Sequence, residues 1–470
     1  MRSSTAPTKG HPSPSDRQAD RSPVQRLVAL FVAFFERVMP DPFVIVLLLT
    51  FVTALLAGAV APRNSAANIV TSWYNGIFAI LTFAFQMILV LVTGHALASA
   101  PPVERLLQRL MAGARTPNRA MVLTFLISAA ACWLNWGFGL VVGALVAKEA
   151  ARRVRADFAW LVAAAYSGYM VWASGPSSSI ALAQATHGNA LNVVERMTGQ
   201  LLPLSDTLFT GFNLIPTAAV VVVVPLVFLL LRPAERDVVA ADPARLAPTP
   251  HPPPPAGPRS VAQRLENAVW ITGVVFLCGL GYVCYMWAQG KFALEINSVI
   301  FIFLITGILL HRRPIAYAEA IGGSAKICGP LILQYPFYGG IMGIMTGTGL
   351  AEVMSKAFVY VASPHTLAYF SYLSSIIIAL FIPSGGGHWA VQGPFVVPAA
   401  TALHASQAGA AMGVAMGEQV ANMLQPFWAL PVVAIAGIGL QRVLGYTLVS
   451  FVIGGAIYGL ALLFLVPVGS

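Results

Sequence analysis

Four short polar stretches interrupt a chain that is otherwise strongly apolar: Asn135 to Gly139, Ser174 to Ser179, Ser384 to His388, and Gln425-Pro426. A helix opened at such a point exposes backbone N–H groups and the positive end of a half-helix dipole. Together these hold an anion such as a carboxylate without a buried lysine or arginine. Glycine removes the Cβ that would keep a ligand away from the backbone. The residues expected to bind on this basis are Asn135, Gly137, Gly139, Ser174, Gly175, Ser177, Ser384, Gly385, Gly386, Gly387, His388 and Gln425. Gly-Ser pairs also pack or kink membrane helices, and any one of the four breaks taken alone reads that way. Three successive glycines followed by a histidine are harder to explain by packing.

Other polar residues divide into those with a sufficient local explanation and those without one. Imidazole changes charge near neutral pH, so His388 can donate to a carboxylate, carry a proton or bond the backbone beside it. Glu418 lies inside the apolar stretch Ala408 to Met423, where an ionised carboxylate needs a proton, a partner or a wet cavity. It and Asn422 are the expected coupling-ion residues, with a helix-to-helix hydrogen bond as the competing role for Glu418. Thr93, His95, Gln86 and Gln334 read as helix-to-helix hydrogen bonds. Asp206 reads as the N-terminal cap of a helix. Trp73, Tyr74 and Trp287 read as interfacial anchors. Trp136 and Trp389, each beside a polar break, are placed to line a small apolar pocket.

The elements that must position these residues are membrane helices. Apolar residues make up 57% of the chain and charged ones 9%, whereas a water-facing domain needs charge on roughly a quarter of its residues. Stretches such as Pro42 to Val60, Ile77 to Ala98, Met121 to Val146, Leu208 to Leu231, Val269 to Ala288 and Tyr446 to Val466 are long enough for a hydrocarbon core of about 30 Å. The net charge of +10 comes from arginines and lysines in short loops and tails, where positive charge sets orientation. No nucleic acid partner is expected. Cys132, Cys278, Cys284 and Cys328 lie in apolar segments without ligand spacing, so neither a metal site nor a disulfide framework is expected.

Residues 1–23 read as a disordered cytoplasmic tail rather than a signal peptide, and residues 24–231 as a first membrane repeat. Residues 232–264 form a cytoplasmic linker whose run His251-Pro252-Pro253-Pro254-Pro255 favours extended polyproline structure. Residues 265–470 hold a connecting helix and a second membrane repeat. Arg105, Arg109, Arg115 and Arg119 on one side of Asn135, and Lys148, Arg152, Arg153 and Arg155 on the other, place both flanks in the cytoplasm. The segment between them is then a re-entrant hairpin, tolerated only where protein or a wet cavity satisfies the opened backbone.

The second half repeats this grammar. Gln86 and Gln334, Asn135 and Ser384, and Pro176 and Pro426 lie 248, 249 and 250 residues apart. Arg312, Arg313 and Arg442 fall in cytoplasmic loops if the second half is inverted. The expected fold is an all-α polytopic membrane protein of two inverted repeats with re-entrant hairpins and broken helices. Such repeats build a midplane substrate site for alternating access.

Several longer segments resemble one family. They are Met39-Pro40-Asp41-Pro42, Val92 to Ala98, Asn135-Trp136-Gly137-Phe138-Gly139 running on to Ala144, Pro383-Ser384-Gly385-Gly386-Gly387-His388-Trp389, Gln392-Gly393-Pro394-Phe395 and Gln425-Pro426-Phe427-Trp428 running on to Pro431. In order, over about Arg26 to Leu465, they resemble the bacterial short-chain fatty acid transporter family. The resemblance implies uptake of acetoacetate or butyrate across the inner membrane and kinship with inverted-repeat ion transporters. It implies no enzymatic activity and no cofactor beyond a coupling sodium ion or proton. Related carriers often work as homodimers, so a second copy joins substrate and bilayer as an expected partner. The Ser174 to Ser179 stretch carries a proline and fewer glycines than relatives are expected to have there. Two rivals remain at this stage: an uncoupled channel or facilitator for other small solutes, and an intramembrane enzyme using Ser174 or Ser384 with His388 or His95. No HExxH or GxSxG motif supports the enzyme.

Overall fold

The computed structural model describes residues 40–246, 260–325, 328–380, 382–425 and 427–468. The expected N-terminal tail, Met39, most of the Pro-rich linker and Pro426 lie outside the described residues. The first half contains α1 Pro42–Val60, α2 Ala66–Ala79, α3 Leu81–Ala98, α4 Pro101–Leu110, α5 Pro117–Leu134, α6 Trp136–Arg153, α7 Phe158–Ser167, α8 Ser179–Ala185 and α9 Gly211–Leu230. The connecting helix is α10 Val269–Ala288. The second half contains α11 Ile296–His311, α12 Pro314–Ala325, α13 Gly329–Thr348, α14 Leu350–Val361, α15 Leu367–Ala379, α16 Gly385–Ala402, α17 Gln407–Ala421, α18 Ala429–Ala436 and α19 Leu440–Phe464. No strand occurs among the described residues.

The helix starts are written in the sequence as caps. Asp41, Ser65, Thr116, Asn135, Asp157, Ser384 and Ser406 each accept a backbone N–H from the first turn of the helix that follows. Two of these pairs, Asn135 with Ser384 and Asp157 with Ser406, lie 249 residues apart. Pro101 and Leu350 start α4 and α14 at the same interval, and Ala66 and Pro314 start α2 and α12 at 248. Each labelled helix of the first half thus has a counterpart ten labels later, whereas the short helix Val193–Thr198 between α8 and α9 has none among the described residues.

The two halves exchange equivalent contacts: α2 packs on α13 as α12 packs on α3, and α1 packs on α13 as α11 packs on α3. Small residues make the α2–α13 seam. A Cβ added at Gly76 would lie 2.3 Å from the Gly339 carbonyl oxygen, one at Gly343 2.2 Å from the Ser72 carbonyl oxygen, and one at Gly347 2.2 Å from the Ser72 hydroxyl. Residue numbers fall along α2 as they rise along α13, so the two helices run antiparallel. Because α2 and α3 form one continuous apolar run, Ala66–Ala98, the counterpart of α3 points against it, and the halves are inverted. Close approach of backbones through Gly and Ser is the usual means of helix association where lipid offers no hydrophobic drive.

Among the described residues, six helices are long and apolar enough to cross a membrane, or seven if the bent pair α12–α13 counts as one span. Three sequence readings change. Asp206 sits in the turn preceding α9, whose N-cap is Thr210, because the chain turns once more before the helix begins. Trp73 lies inside a span longer than hydropathy alone indicated; its ring packs beside Phe337, and a Cβ at Gly340 would meet it at 2.6 Å. Trp389 is fully buried and donates Nε1–H to the Leu191 carbonyl at 2.9 Å, which points it away from the pocket described below.

The seam gives a direct test. Gly76→Leu should lower the thermal unfolding midpoint in detergent by an amount equivalent to about 1–3 kcal/mol of overpacking or more. Gly281→Leu on α10, where nothing lies within 4 Å of an added Cβ, should leave the midpoint unchanged.

Candidate functional site

Helices α5 and α6 fold into a tight antiparallel hairpin. A Cβ on Gly139 would meet Cys132 Cα at 2.4 Å, and one on Gly143 would meet Ser128 Oγ at 2.7 Å, pairs placed symmetrically about Asn135. Asn135 forms the tip, fully buried, its Oδ1 accepting from Phe138 N at 2.9 Å. Its neighbour Trp136 donates N–H to Ser177 Oγ at 2.9 Å, which ties the tip to the break after the 3₁₀ segment Gly168–Ser174. In the second half α15 and α16 form the equivalent turn around Ser384. Its Oγ accepts from Gly387 N at 3.3 Å and donates to the Tyr335 hydroxyl at 3.1 Å. Here Gln392 holds the two arms together by donating to the Ser371 carbonyl at 2.9 Å and to Ser374 Oγ at 2.8 Å.

Both tips reach one small void of about 20 Å³, lined by Met87, Trp136, Tyr169, Trp172, Ser179, Leu331, Tyr335, Ser384, Gly385 and Trp428. That volume accommodates about one water molecule. Aromatic rings form much of its wall: Trp136 stands edge-on to Trp428 with centroids 5.3 Å apart, and Tyr169 stacks on Trp172 at 5.9 Å. Four helices begin at the void: α6 at Trp136, the short α8 at Ser179, α16 at Gly385, and α18 directly after Trp428. The first amides of a helix have no acceptor inside it, and its dipole is positive at that end. Trp136 Nε1 and Ser179 Oγ are buried and have no protein partner among the described residues. Donors and dipoles without an acceptor, enclosed by rings, are suited to a small anion carrying an apolar tail.

The expected residues take distinct places. Ser384 and Gly385 line the void. Asn135 and Ser177 brace it from one residue away through the bonds just described. Ser174 accepts at its carbonyl from Trp133 Nε1 and Asn213 Nδ2, both at 3.1 Å. Gly137 packs on the Leu91 backbone, Gly139 on Cys132 and Gly175 on Trp133, so at these three the missing Cβ permits close packing. Gly386 and Gly387 lie under the rings of Phe83 and Tyr338. Gln425 donates to the Ala379 carbonyl at 3.2 Å.

A second buried cluster adjoins the void. His388 Nδ1 meets Glu418 Oε2 in a short contact, and both side chains are 0% exposed. His388 Nε2 faces Gln392 Oε1 at 2.6 Å. Asn422 accepts from Trp172 Nε1 at 2.8 Å, and Gln419 Oε1 accepts from Ala173 N at 3.0 Å, which supplies an acceptor to the 3₁₀ segment of the other half. The individual residues His388, Glu418 and Asn422 stood out in the sequence; their pairing, and the parts of Gln392, Gln419, Tyr169, Trp172, Tyr335 and Trp428, did not. Tyr335 follows Gln334, whose Oε1 accepts from Tyr338 at 3.0 Å, and Gln86 bonds Asn297 at 2.8 Å. His95 makes the helix-to-helix bond its position indicates, to Ser324 at 2.8 Å, whereas Thr93 bonds its own helix. No cluster of three metal-ligating side chains occurs among the described residues.

Comparison with known proteins follows the same lines. The family model described as "Short chain fatty acid transporter" matches residues 23–465. The chain is similar to the "Putative short-chain fatty acid transporter" of Escherichia coli (strain K12), with 40% identity over 447 residues covering 93% of this chain and 99% of that one. It is 36% identical to the protein of the same name from Haemophilus influenzae (strain ATCC 51907 / DSM 11121 / KW20 / Rd), over 94% of this chain and 100% of that one. Among solved structures, the Alcanivorax borkumensis YdaH transporter shares the fold with a TM-score of 0.54 at 15% identity, covering 96% of this chain and all of that one. Neisseria gonorrhoeae MtrF, of a class of antimetabolite efflux pumps, does so with 0.51 at 14% identity, covering 95% and 98%.

The bridge from Gln419 to Ala173 should carry measurable stability. Gln419→Leu strands a buried amide, and thermal unfolding in detergent should show a loss of about 1–3 kcal/mol.

Proposed function

Because the chain belongs to the short-chain fatty acid transporter family and is a multi-pass membrane protein, we propose that it imports small monocarboxylates such as acetoacetate or butyrate as an ion-coupled secondary transporter. The observation that carries this reading is the convergence of the two hairpin tips, one from each inverted half, on a ring-walled void with unpartnered donors. A carboxylate placed there would accept from Trp136 Nε1 and Ser179 Oγ, and the helix starts would offset its charge. The acyl chain would lie against Met87, Leu331 and the aromatic faces.

A void of about 20 Å³ does not hold even a short acyl chain, so substrate enters only when the walls part. Parting is what alternating access supplies: the hairpins separate toward one face of the bilayer and then toward the other. The loops bearing Arg105 to Arg119 and Lys148 to Arg155 would face the cytoplasm, with the N-terminus on that side and both hairpins re-entering an inner membrane from opposite faces. Tight walls also favour short chains, because each added methylene needs more space between the rings. A homodimer is compatible with the outward-facing apolar surface of α10, which includes Trp270, Leu277 and Tyr285.

Uptake of labelled butyrate into proteoliposomes under imposed ion gradients tests this reading. Trp136→Phe and Ser179→Ala should each raise KM by roughly tenfold or more, the loss of one hydrogen bond to a charged group, with normal insertion. Unchanged KM in both variants would remove the carboxylate from this void.

A further inference from the structure

We infer that His388 and Glu418 together form the proton site of a one-to-one, electroneutral proton–carboxylate symport, an inference that rests on the proposed transport function. Gln392 fixes the protonation pattern. Its Nε2 donates to Ser371 O and Ser374 Oγ, so its Oε1 faces His388 Nε2 and requires a hydrogen there. The contact between Nδ1 and Glu418 Oε2 then holds one further proton, on either atom. In both forms the pair is neutral overall, which is what a fully buried site tolerates.

One position remains open. Glu418 Oε1 is buried and has no partner among the described residues. A second proton arriving from outside binds that oxygen, and the pair becomes cationic. Alone, this state is costly at such depth, as is a bare carboxylate in the void. Together they cancel. Among the described residues no lysine or arginine is buried to serve as a permanent countercharge. His388 N donates to the Ser384 carbonyl at 2.6 Å, so the pair sits one helical turn from the void's wall. The titratable groups facing Glu418 from neighbouring elements are the phenols of Tyr169, Tyr335 and Tyr338. Proton and carboxylate therefore raise each other's affinity, and the coupling is reciprocal. After the site opens inward the proton leaves Oε1 and the carboxylate leaves as the anion.

Sodium fits less well, because it needs several oxygens around it. Asn422 turns its oxygen to Trp172 and leaves only Nδ2 without a partner, so Glu418 supplies a single unpartnered oxygen.

The test uses sodium-free proteoliposomes, with the flux of protein-free vesicles subtracted because undissociated butyric acid crosses lipid unaided. Three quantities are read: labelled-butyrate exchange at equal pH, net accumulation under a pH gradient, and accumulation under a potassium–valinomycin potential. Wild type should exchange, accumulate with the pH gradient, and ignore the potential. Glu418→Gln has no carboxylate to take the second proton, so the pair supplies no countercharge to the substrate, and pH-driven accumulation should fall by at least about tenfold. Accumulation by Glu418→Gln at the wild-type level overturns the inference, as does a sodium requirement or a response to potential in wild type. The wild-type arms decide it alone if the variant does not fold. Wild type that exchanges without proton dependence sinks the inference and leaves the transport function standing; wild type that exchanges nothing sinks both.

Discussion

Backbone groups freed by a helix break inside an apolar interior must find partners there, since lipid supplies none. This constraint organises the molecule. The backbone of the 3₁₀ segment is satisfied partly from the opposite half, where Gln419 accepts from Ala173 N, while Asn422 accepts from the indole of Trp172. The tip at Asn135 is closed by its own side chain and by Ser177, and the tip at Ser384 by its hydroxyl and Tyr335. With the tips closed in this way, Trp136 Nε1 and Ser179 Oγ are left open at the void.

The halves share architecture but not chemistry. The positions 249 residues before His388, Gln392 and Glu418 hold Gly139, Gly143 and Tyr169. Two glycines let α5 and α6 close directly on each other, as the approaches to Cys132 and Ser128 show. In their places the second half carries an imidazole and an amide, and its arms are bridged through the Gln392 side chain instead. The ionisable pair is therefore confined to the second half, on α16 and α17, while the first-half hairpin supplies a compact apolar wall. Tyr169 stands opposite Glu418 in this scheme and lends its ring to the void.

Much of this was legible in the sequence. Pro42–Val60 emerged with the bounds that hydropathy gave, and the hairpin tips were marked by polar residues that also act as helix caps. The interval of about 249 residues was visible in a few landmarks before helix starts supplied more. Other features were hidden for physical reasons. The first turns of α2 carry Asn68, Ser72 and Asn75 and so fall below an apolar threshold, although they pack on α13. The rings of Trp172 and Trp428 look like any other apolar residues in an apolar run. Pairing of His388 with Glu418 spans 30 residues and depends on how α16 meets α17, which no local pattern encodes.

Whether the two tips share one carboxylate site is decided by an experimental structure of the protein saturated with butyrate. The carboxylate should lie within hydrogen-bonding distance of Trp136 Nε1 and Ser179 Oγ, with the acyl chain among the rings and the tips farther apart than in the closed form described above. Butyrate bound elsewhere, with Trp136 and Ser179 untouched and the void unchanged, would contradict a shared site.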